Sequence, residues 1–204
     1  MKRVCGRGRL GFWVVAAALM LTACGAVRPV SPDEARATPK NLDFEAGTYA
    51  GRLPNGWGVG RGSGAGSPDD YTYRLDQSVK HGGRASLMIK FTAPRFRSHG
   101  GVFQCLYGRG FTGRARLTGY IKTSGASGDG AFFWMQASDT DGRSVAFRNM
   151  DGRRVRRTTD WAEHAIEIEI TEPADELCFG FTMDGPGTTW ADDLSLALPR
   201  ALKR

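Results

Sequence analysis

The sequence holds few of the residues and motifs from which catalytic sites are commonly built. It has three histidines, and none is spaced from another histidine or from a cysteine as zinc ligands are. It has no Gly-x-Ser-x-Gly nucleophile elbow. Carboxylates such as Glu167 and Glu169 alternate with isoleucines, as solvent-facing strand residues do. The sequence therefore gives no positive sign of catalysis, and a hydrolase with a carboxylate pair assembled by the fold is the weakest hypothesis.

The sequence also lacks an apolar run long enough to cross a bilayer core of about 30 Å. Its longest N-terminal run, from Leu10 to Met20, follows a basic segment and ends in Leu21-Thr22-Ala23-Cys24. This order resembles a bacterial lipoprotein signal peptide. We predict that residues 1–23 are removed and that Cys24 becomes the acylated first residue, anchored in a lipid bilayer through palmitate-type chains. The alternative is an ordinary secretory signal that leaves Cys24 as a free thiol.

The segment after Cys24 predicts where the protein is displayed. Gly25 stands where inner-membrane lipoproteins carry Asp, so the resemblance to Gram-negative lipoproteins implies the outer membrane. We expect the protein to face the periplasm, with the cell surface as the alternative. Residues 24–40 are rich in proline and have little that could pack, which is typical of a flexible tether.

An excess of positive charge is largely confined to the signal segment. The full chain has 28 basic and 21 acidic side chains, a formal net charge of +7, and four of the basic residues precede Cys24. The predicted mature chain is therefore close to neutral, which argues against nucleic acid as a partner. Arg153, Arg154, Arg156 and Arg157 form either a solvated hairpin tip or a contact for anionic lipid headgroups or polyanions.

Cysteines are few, and their distribution is consistent with export. Of the four, Cys5 leaves with the signal and Cys24 is predicted to be lipidated. Cys105 and Cys178 remain as the one possible pair in an oxidising compartment. Sequence separation alone leaves open whether they are bonded.

From Asn41 onward, short apolar runs alternate with polar residues and are separated by glycine-containing turns such as Asp141-Gly142 and Asp151-Gly152. No stretch after the signal has a helical period. This pattern predicts an all-β, antiparallel jelly-roll sandwich over residues 41–198, followed by a basic tail over 199–204. The candidate strands are Leu42–Glu45, Tyr71–Asp76, Ala85–Thr92, Val102–Tyr107, Arg114–Thr123, Ala131–Ser138, Ser144–Met150, Ala162–Ile170, Glu176–Met183 and Thr189–Leu198.

Several motifs within 41–198 resemble one family of such domains. Asn41-Leu-Asp-Phe-Glu45, Gly56-Trp57 and the closing Trp190-Ala-Asp-Asp-Leu-Ser-Leu196 are similar to the bracketing motifs of galactose-binding-like jelly rolls, including carbohydrate-binding modules. Gly113–Thr123, Phe133-Trp-Met135, Ala146–Met150 and Thr158–Trp161 resemble a bacterial subgroup. That subgroup also occurs as an accessory domain in exported proteins, some with tail-specific-type peptidase domains. The resemblance implies the fold strongly and the ligand weakly.

The resemblance also implies a structural calcium ion where the first and last strands meet. Glu45, Asp192 and Asp193 match the bracketing positions, and Ca²⁺ prefers oxygen ligands of this kind. The alternative is a strand-end turn in which these carboxylates make local hydrogen bonds.

A ligand-binding face is predicted from the alternation of the strands. If Phe133 and Met135 face the core, Trp134 and Gln136 point outward, and an indole with planar polar groups suits sugar rings. The candidate ligand-binding residues are Trp134, Gln136, Arg148, Asn149 and Trp57, with structural packing as the alternative for at least half of them. If Cys178 lies beside Cys105, both are on this outer face, near any ligand groove.

Three functions follow from the sequence. The first is a membrane-tethered, non-catalytic protein that binds carbohydrate or another cell-envelope ligand. The second is a structural or protein-interaction lipoprotein that has lost glycan binding. The third, ranked last, is a hydrolase.

Overall fold

The computed structural model describes residues 38–49, 53–60, 68–95 and 99–198. These residues form antiparallel β-structure, and the one helical segment among them is the 3₁₀ turn Pro68–Asp70. The strands are β1 (Thr48–Tyr49), β2 (Leu53–Pro54), β3 (Gly58–Gly60), β4 (Tyr71–Asp76), β5 (Ser86–Phe91), β6 (Gly100–Ser138), β7 (Ser144–Asn149), β8 (Val155–Asp184) and β9 (Thr188–Ala197).

Strands β6 and β8 are long enough to run through two sheets. The front sheet has the order β3, residues 100–107 of β6, residues 176–184 of β8, residues 130–138 of β6, and β7. The back sheet has the order β4, β5, β9, residues 114–124 of β6, and residues 157–170 of β8. β1 and β2 form a separate short hairpin. Two antiparallel sheets that share bent strands make a jelly-roll sandwich, as the sequence predicted.

Glycines mark the places where β6 bends from one sheet to the other. The pairing of β6 with β8 shifts register near Gly113 and again near Gly130. Both glycines have positive φ, at 95° and 83°. Residues with a Cβ rarely adopt this conformation, so glycine allows the strand to turn without a break in the chain.

The core lies between the two sheets and is built by the alternation that the sequence predicts. Phe133 and Met135 of β6, with Phe179 and Phe181 of β8, point inward from the front sheet and are fully buried. The back sheet contributes aliphatic side chains that are also buried: Leu87, Ile89, Leu117, Ile121, Ile166, Ile168 and Ile170. Trp134 and Gln136 therefore lie on the outer face of the front sheet, where they were expected.

The strand predictions are confirmed in part. Tyr71–Asp76 is confirmed in full, and the turns at Asp141-Gly142 and Asp151-Gly152 are present. The prediction of a strand over Leu42–Glu45 is wrong, because this segment forms turns in which Phe44 has a φ of 58° and a buried ring. Five of the predicted strands are parts of β6 and β8, since each of these strands continues through its bends with only shifts of register.

Residues 1–37 and 199–204 lie outside the described residues. The predicted signal peptide, the lipidated Cys24, most of the tether and the basic tail therefore remain predictions. Among the described residues, no helix has the length and apolarity needed to cross a membrane.

Candidate functional site

A cleft of about 570 Å³ lies on the outer face of the front sheet. Its floor is made of side chains that sit opposite one another on adjacent strands. Phe103, Gly180, Trp134 and Asn149 form one row, and Cys105, Cys178, Gln136 and Phe147 form the next. The core side chains occupy the other face of these strands, and six of the eight residues line the cleft: Phe103, Trp134, Gln136, Phe147, Asn149 and Cys178.

Trp134 lies across the middle of this floor. A Cβ placed on Gly180 would be 2.7 Å from two atoms of the indole, so the ring lies against the backbone of the neighbouring strand. The indole Nε1–H donates to Thr182 Oγ1 at 3.1 Å. Gly180 and Thr182 thus fix the ring against the sheet. Trp134 is half-buried and lines the cleft, as a stacking platform must.

Three phenylalanines extend the apolar surface of the cleft. Phe103 lies over the edge strand β3, where a Cβ on Gly60 would be 3.1 Å from its ring. Phe147 on the opposite edge strand is 55% exposed. Phe132 is buried beneath the guanidinium of Arg154, which lies 4.2 Å from its ring centroid. Phe103 and Phe147 therefore form apolar walls on the two sides of the Trp134 platform.

Two amide side chains provide polar groups beside the platform. Gln136 Nε2 makes a long hydrogen bond of 3.4 Å to Ser138 Oγ, and no described residue donates to its Oε1. Asn149 Oδ1 accepts from the Asp151 backbone N–H at 2.9 Å, and no described residue accepts from its Nδ2. The cleft thus offers one acceptor and one donor next to an indole, which matches the hydroxyl rim of a sugar ring.

The charge at one end of the cleft is already compensated. Arg154 pairs with Asp129 at 2.7 Å and Asp151 at 2.9 Å, and lies 4.0 Å from Asp184. Arg156 also pairs with Asp129, at 3.4 Å. The arginine-rich segment is therefore more than a solvated hairpin tip, because Arg154 is 16% exposed and lines the cleft. Its ion pairs leave it without free charge for an anionic ligand.

Cys105 and Cys178 form a disulfide in the cleft floor. The two residues face each other on β6 and β8, with a Cα–Cα distance of 4.0 Å, and Cys178 lines the cleft. Glu176 lies next to the sulfur atoms. Its hydrogen bond with the Tyr107 hydroxyl, together with burial, raises the pKa of Tyr107.

The proposed calcium ligands do not form one ligand set. Glu45 accepts hydrogen bonds from the backbone of Arg84 and Ala85, and pairs with the Arg84 guanidinium at 2.9 Å. Asp192 is buried and accepts from the backbone N–H groups of residues 81, 82 and 193. Burial raises its pKa.

Asp193 is likewise committed to a protein partner, since its Oδ2 lies 2.7 Å from His81 Nδ1. Among the described residues, one group alone places three ligand atoms within 4.8 Å of one another, namely Cys105, Glu176 and Cys178. The sulfur atoms of that group are joined to each other. The three carboxylates are thus bonded to protein donors as described, and the calcium ion stays a prediction.

The predicted binding residues are brought together only in part. Trp134, Gln136 and Asn149 line the cleft. Trp57 does not, because its ring is 6% exposed, packs on Phe44 and Phe179, and donates to the Asn41 carbonyl. Arg148 is exposed, but its register partner is the core residue Met135, so it is not one of the cleft residues.

Four residues line the cleft but were not among the predicted ligand-binding residues: Phe103, Phe147, Thr182 and Arg154. A signal existed for Phe103 and Thr182, because each lies on the outward-facing alternation of a strand whose cysteine had been placed on that face. Phe147 could have been found in the same way from Asn149, two residues along β7. No sequence signal placed Arg154 in the cleft.

Comparison with known proteins supports the fold. No family model matches the chain. One relative, the uncharacterized HTH-type transcriptional regulator YbfP of Bacillus subtilis, is 29% identical over 147 residues. The match covers 71% of this chain and 48% of the regulator. This chain thus spans about half the length of that relative.

Solved structures that are similar to this chain include an enzyme and a binding module. The Stig cyclase Fisc from Fischerella sp. TAU, in complex with (3Z)-3-(1-methyl-2-pyrrolidinylidene)-3H-indole, is 18% identical with a TM-score of 0.57. The match covers 81% of this chain and 98% of the cyclase. The carbohydrate-binding module TmCBM61, in complex with β-1,4-galactotriose, is 16% identical with a TM-score of 0.47, over 78% of this chain and 97% of the module. At these identities the likeness concerns the fold alone.

Proposed function

We propose that the protein is a non-catalytic lipoprotein, tethered to the outer membrane through Cys24, whose front cleft binds a neutral glycan of the cell envelope. The observation that carries this proposal is the Trp134 indole, held against the backbone of Gly180 in a cleft that Gln136 and Asn149 also line. Sugar rings have an apolar C–H face and a rim of hydroxyls, and this arrangement complements both.

The charges around the cleft support a neutral ligand. Arg154 is the one arginine or lysine among the described residues that line the cleft, and it is paired with aspartates. An anionic glycan would therefore meet no unpaired arginine or lysine there, while Asp184 would repel it. Asp184 is also the one carboxylate in this lining. A glycosidase needs two carboxylates across its cleft, so the arrangement favours binding over hydrolysis.

The experiment is a glycan array with residues 25–204, the predicted mature chain without its acylated Cys24, which contains every described residue. We expect neutral oligosaccharides to bind, and Trp134→Ala to weaken binding at least roughly a hundredfold, as loss of a stacking platform does. Trp161→Ala is the matched control, because Trp161 contacts His81 and lies on the back sheet. We expect a chelator to leave binding unchanged, because the carboxylates proposed as metal ligands are bonded to N–H donors.

A second candidate is binding of a planar aromatic molecule. The Fisc cyclase was solved with an indole derivative, and its match with this chain has a TM-score of 0.57. The Trp134 platform would stack on such a ring as well as on a sugar. Binding of indole compounds to the mature chain, with no neutral glycan bound, would replace the first proposal. A co-purifying envelope protein and no small ligand would favour the protein-interaction alternative.

A further inference from the structure

The Cys105–Cys178 disulfide is part of the surface that a ligand in the front cleft would touch. It occupies the same row of the floor as Gln136 and Phe147, next to the row that holds Trp134. Both cysteines are half-buried on the outer face, and Cys178 lines the cleft. The disulfide is therefore accessible from the side on which the ligand is proposed to bind.

The sheet does not need this bond to hold its register. Every residue from Gly100 to Tyr107 pairs with a residue of the segment from Glu176 to Met183. On the inner face of the same strands, Val102, Leu106, Leu177 and Phe179 are buried in the core. Backbone pairing and core packing would keep the two strands together after reduction, so the change would be concentrated at the cleft floor.

We propose that the redox state of Cys105–Cys178 controls ligand affinity in the front cleft. This inference rests on the proposed glycan-binding function and names its regulation. In the oxidised protein the sulfur atoms form one compact, polarisable contact beside Gln136. After reduction the unbonded sulfur atoms must separate to van der Waals distance, and each becomes a thiol that seeks a hydrogen-bond partner. Gln136 is the neighbouring polar side chain in that row, so its position changes with the disulfide.

The reductant is a dithiol. One of its thiolates attacks Sγ of Cys178, which lines the cleft, and Cys105 leaves as the thiolate. The second thiolate of the reductant then attacks its own sulfur in the mixed disulfide and releases Cys178. Two electrons pass to the protein, both cysteines take up protons, and the reductant leaves as its disulfide.

Glu176 opposes this reaction. Its carboxylate lies within 4.8 Å of both sulfur atoms. It repels the incoming thiolate and disfavours the thiolate that leaves. Glu176→Gln should therefore accelerate reduction by a dithiol severalfold without changing glycan affinity in the oxidised state. Glu169→Gln is the matched control, because Glu169 is exposed on the back sheet, where it pairs with Arg114.

The test compares oxidised and dithiol-reduced mature chain. The probes are cellohexaose, xylohexaose and β-1,4-galactotriose, with affinities measured by calorimetry and full reduction verified from the mass of the alkylated protein. We expect reduction to weaken binding of the preferred probe about tenfold. The Cys105→Ser/Cys178→Ser variant should bind as weakly as the reduced protein and should not respond to the dithiol. Equal affinity of the oxidised and fully reduced protein would overturn the proposal.

A readout without ligand separates this inference from the glycan proposal. The side-chain N–H resonances of Trp134, Gln136 and Asn149 should shift on reduction, while the Trp161 indole resonance stays in place. If the three resonances move and no probe binds, the disulfide does change the cleft side chains, and the proposed glycan function is wrong. If they stay in place and affinity is unchanged, the redox inference fails and the glycan function stands.

Discussion

The outer faces of the two sheets are built by the same strand alternation, yet they differ in what their side chains leave unpaired. Each carries a tryptophan. On the back sheet the Trp190 indole is 9% exposed and donates to Asp76 Oδ2 at 3.0 Å. Beside it, Lys122 pairs with Asp160 at 2.7 Å. On the front sheet Trp134 is also hydrogen-bonded, but one side of its ring faces a cleft.

This difference identifies the binding face better than aromatic content does. Ion pairs cover the part of the back face that β6 and β8 form, where Arg116 bonds to Glu167 at 2.7 Å. The front face instead leaves Gln136 Oε1 and Asn149 Nδ2 without described partners beside an open platform. Polar groups left unpaired next to an accessible ring are what a ligand can satisfy, and the back face offers none beside Trp190 among its described contacts.

The largest effect should come from Gly180→Ala, which places a methyl group beneath the Trp134 indole. The new Cβ would lie 2.5 Å from the Val102 carbonyl oxygen and 2.7 Å from the indole, so the platform must lift from the sheet. We expect glycan affinity to fall at least about a hundredfold, equivalent to about 2.7 kcal/mol. Calorimetry on protein shown to be folded by circular dichroism tests this. Binding as tight as in the wild type would mean that the ring position does not matter.

The second effect concerns the back face and should change stability without changing affinity. Asp76→Ala removes the acceptor of the buried Trp190 N–H and of the Ser78 hydroxyl. Burial opposes ionisation of Asp76, but hydrogen bonds from Ser78 and Trp190 outweigh it and hold the pKa of Asp76 below its usual value. We expect a loss of about 2 kcal/mol in urea unfolding, the usual cost of an unsatisfied buried donor. Asp76→Asn, which keeps an acceptor, should lose less. An affinity change in either variant would contradict the separation of the faces.

The fold was predictable from sequence because alternation and glycine placement act locally. The inward positions of Phe133, Phe179 and Ile168 follow directly from a period of two. What alternation could not predict is that β6 passes through both sheets, since pairing across the bend at Gly130 depends on distant residues of β8. The turn at Phe44 was also missed, because positive φ at a phenylalanine has no sequence signature.

Site residues could be predicted from the sequence where strand alternation sets the direction of the side chain. They could not be predicted where the residue lies outside a regular strand. Trp134 and Gln136 follow from their neighbours in β6. Trp57 lies in a glycine-rich segment without alternation, so nothing in the sequence indicated that it packs against Phe179. Arg154 is held at the cleft by the neighbouring Asp151 and by the distant Asp129 and Asp184, and the two distant contacts exist only in the folded structure.

A smaller effect on the back sheet should depend on pH. Burial, and to a lesser extent Arg153, lowers the pKa of His164 from the usual 6.5. Its Nε2 is buried without a hydrogen-bond partner among the described residues. The unfolded state therefore binds the proton more tightly than the folded state. The stability from neutral His164 is complete above about pH 6.5 and is lost as pH falls towards the lower folded pKa.

Urea midpoints measured between pH 7.5 and 5 test this pH dependence. We expect His164→Gln to flatten the profile in this window, by less than the loss from Asp76→Ala. An unchanged profile would mean that other groups dominate. The glycan affinity of the oxidised protein should be unchanged in both variants, since neither residue lines the cleft.

The smallest effect should come from Arg116→Ala, which removes an ion pair from the back face. Arg116 and Glu167 are 53% and 41% exposed, so water and salt screen their attraction. We expect the free energy of unfolding to change by less than about 0.5 kcal/mol, and by less still at high ionic strength. Glycan affinity should be unchanged, because the core separates this residue from the cleft. A measurable loss of affinity would place part of the ligand on the back face, and the distinction between an open and a covered face would then no longer identify the binding site.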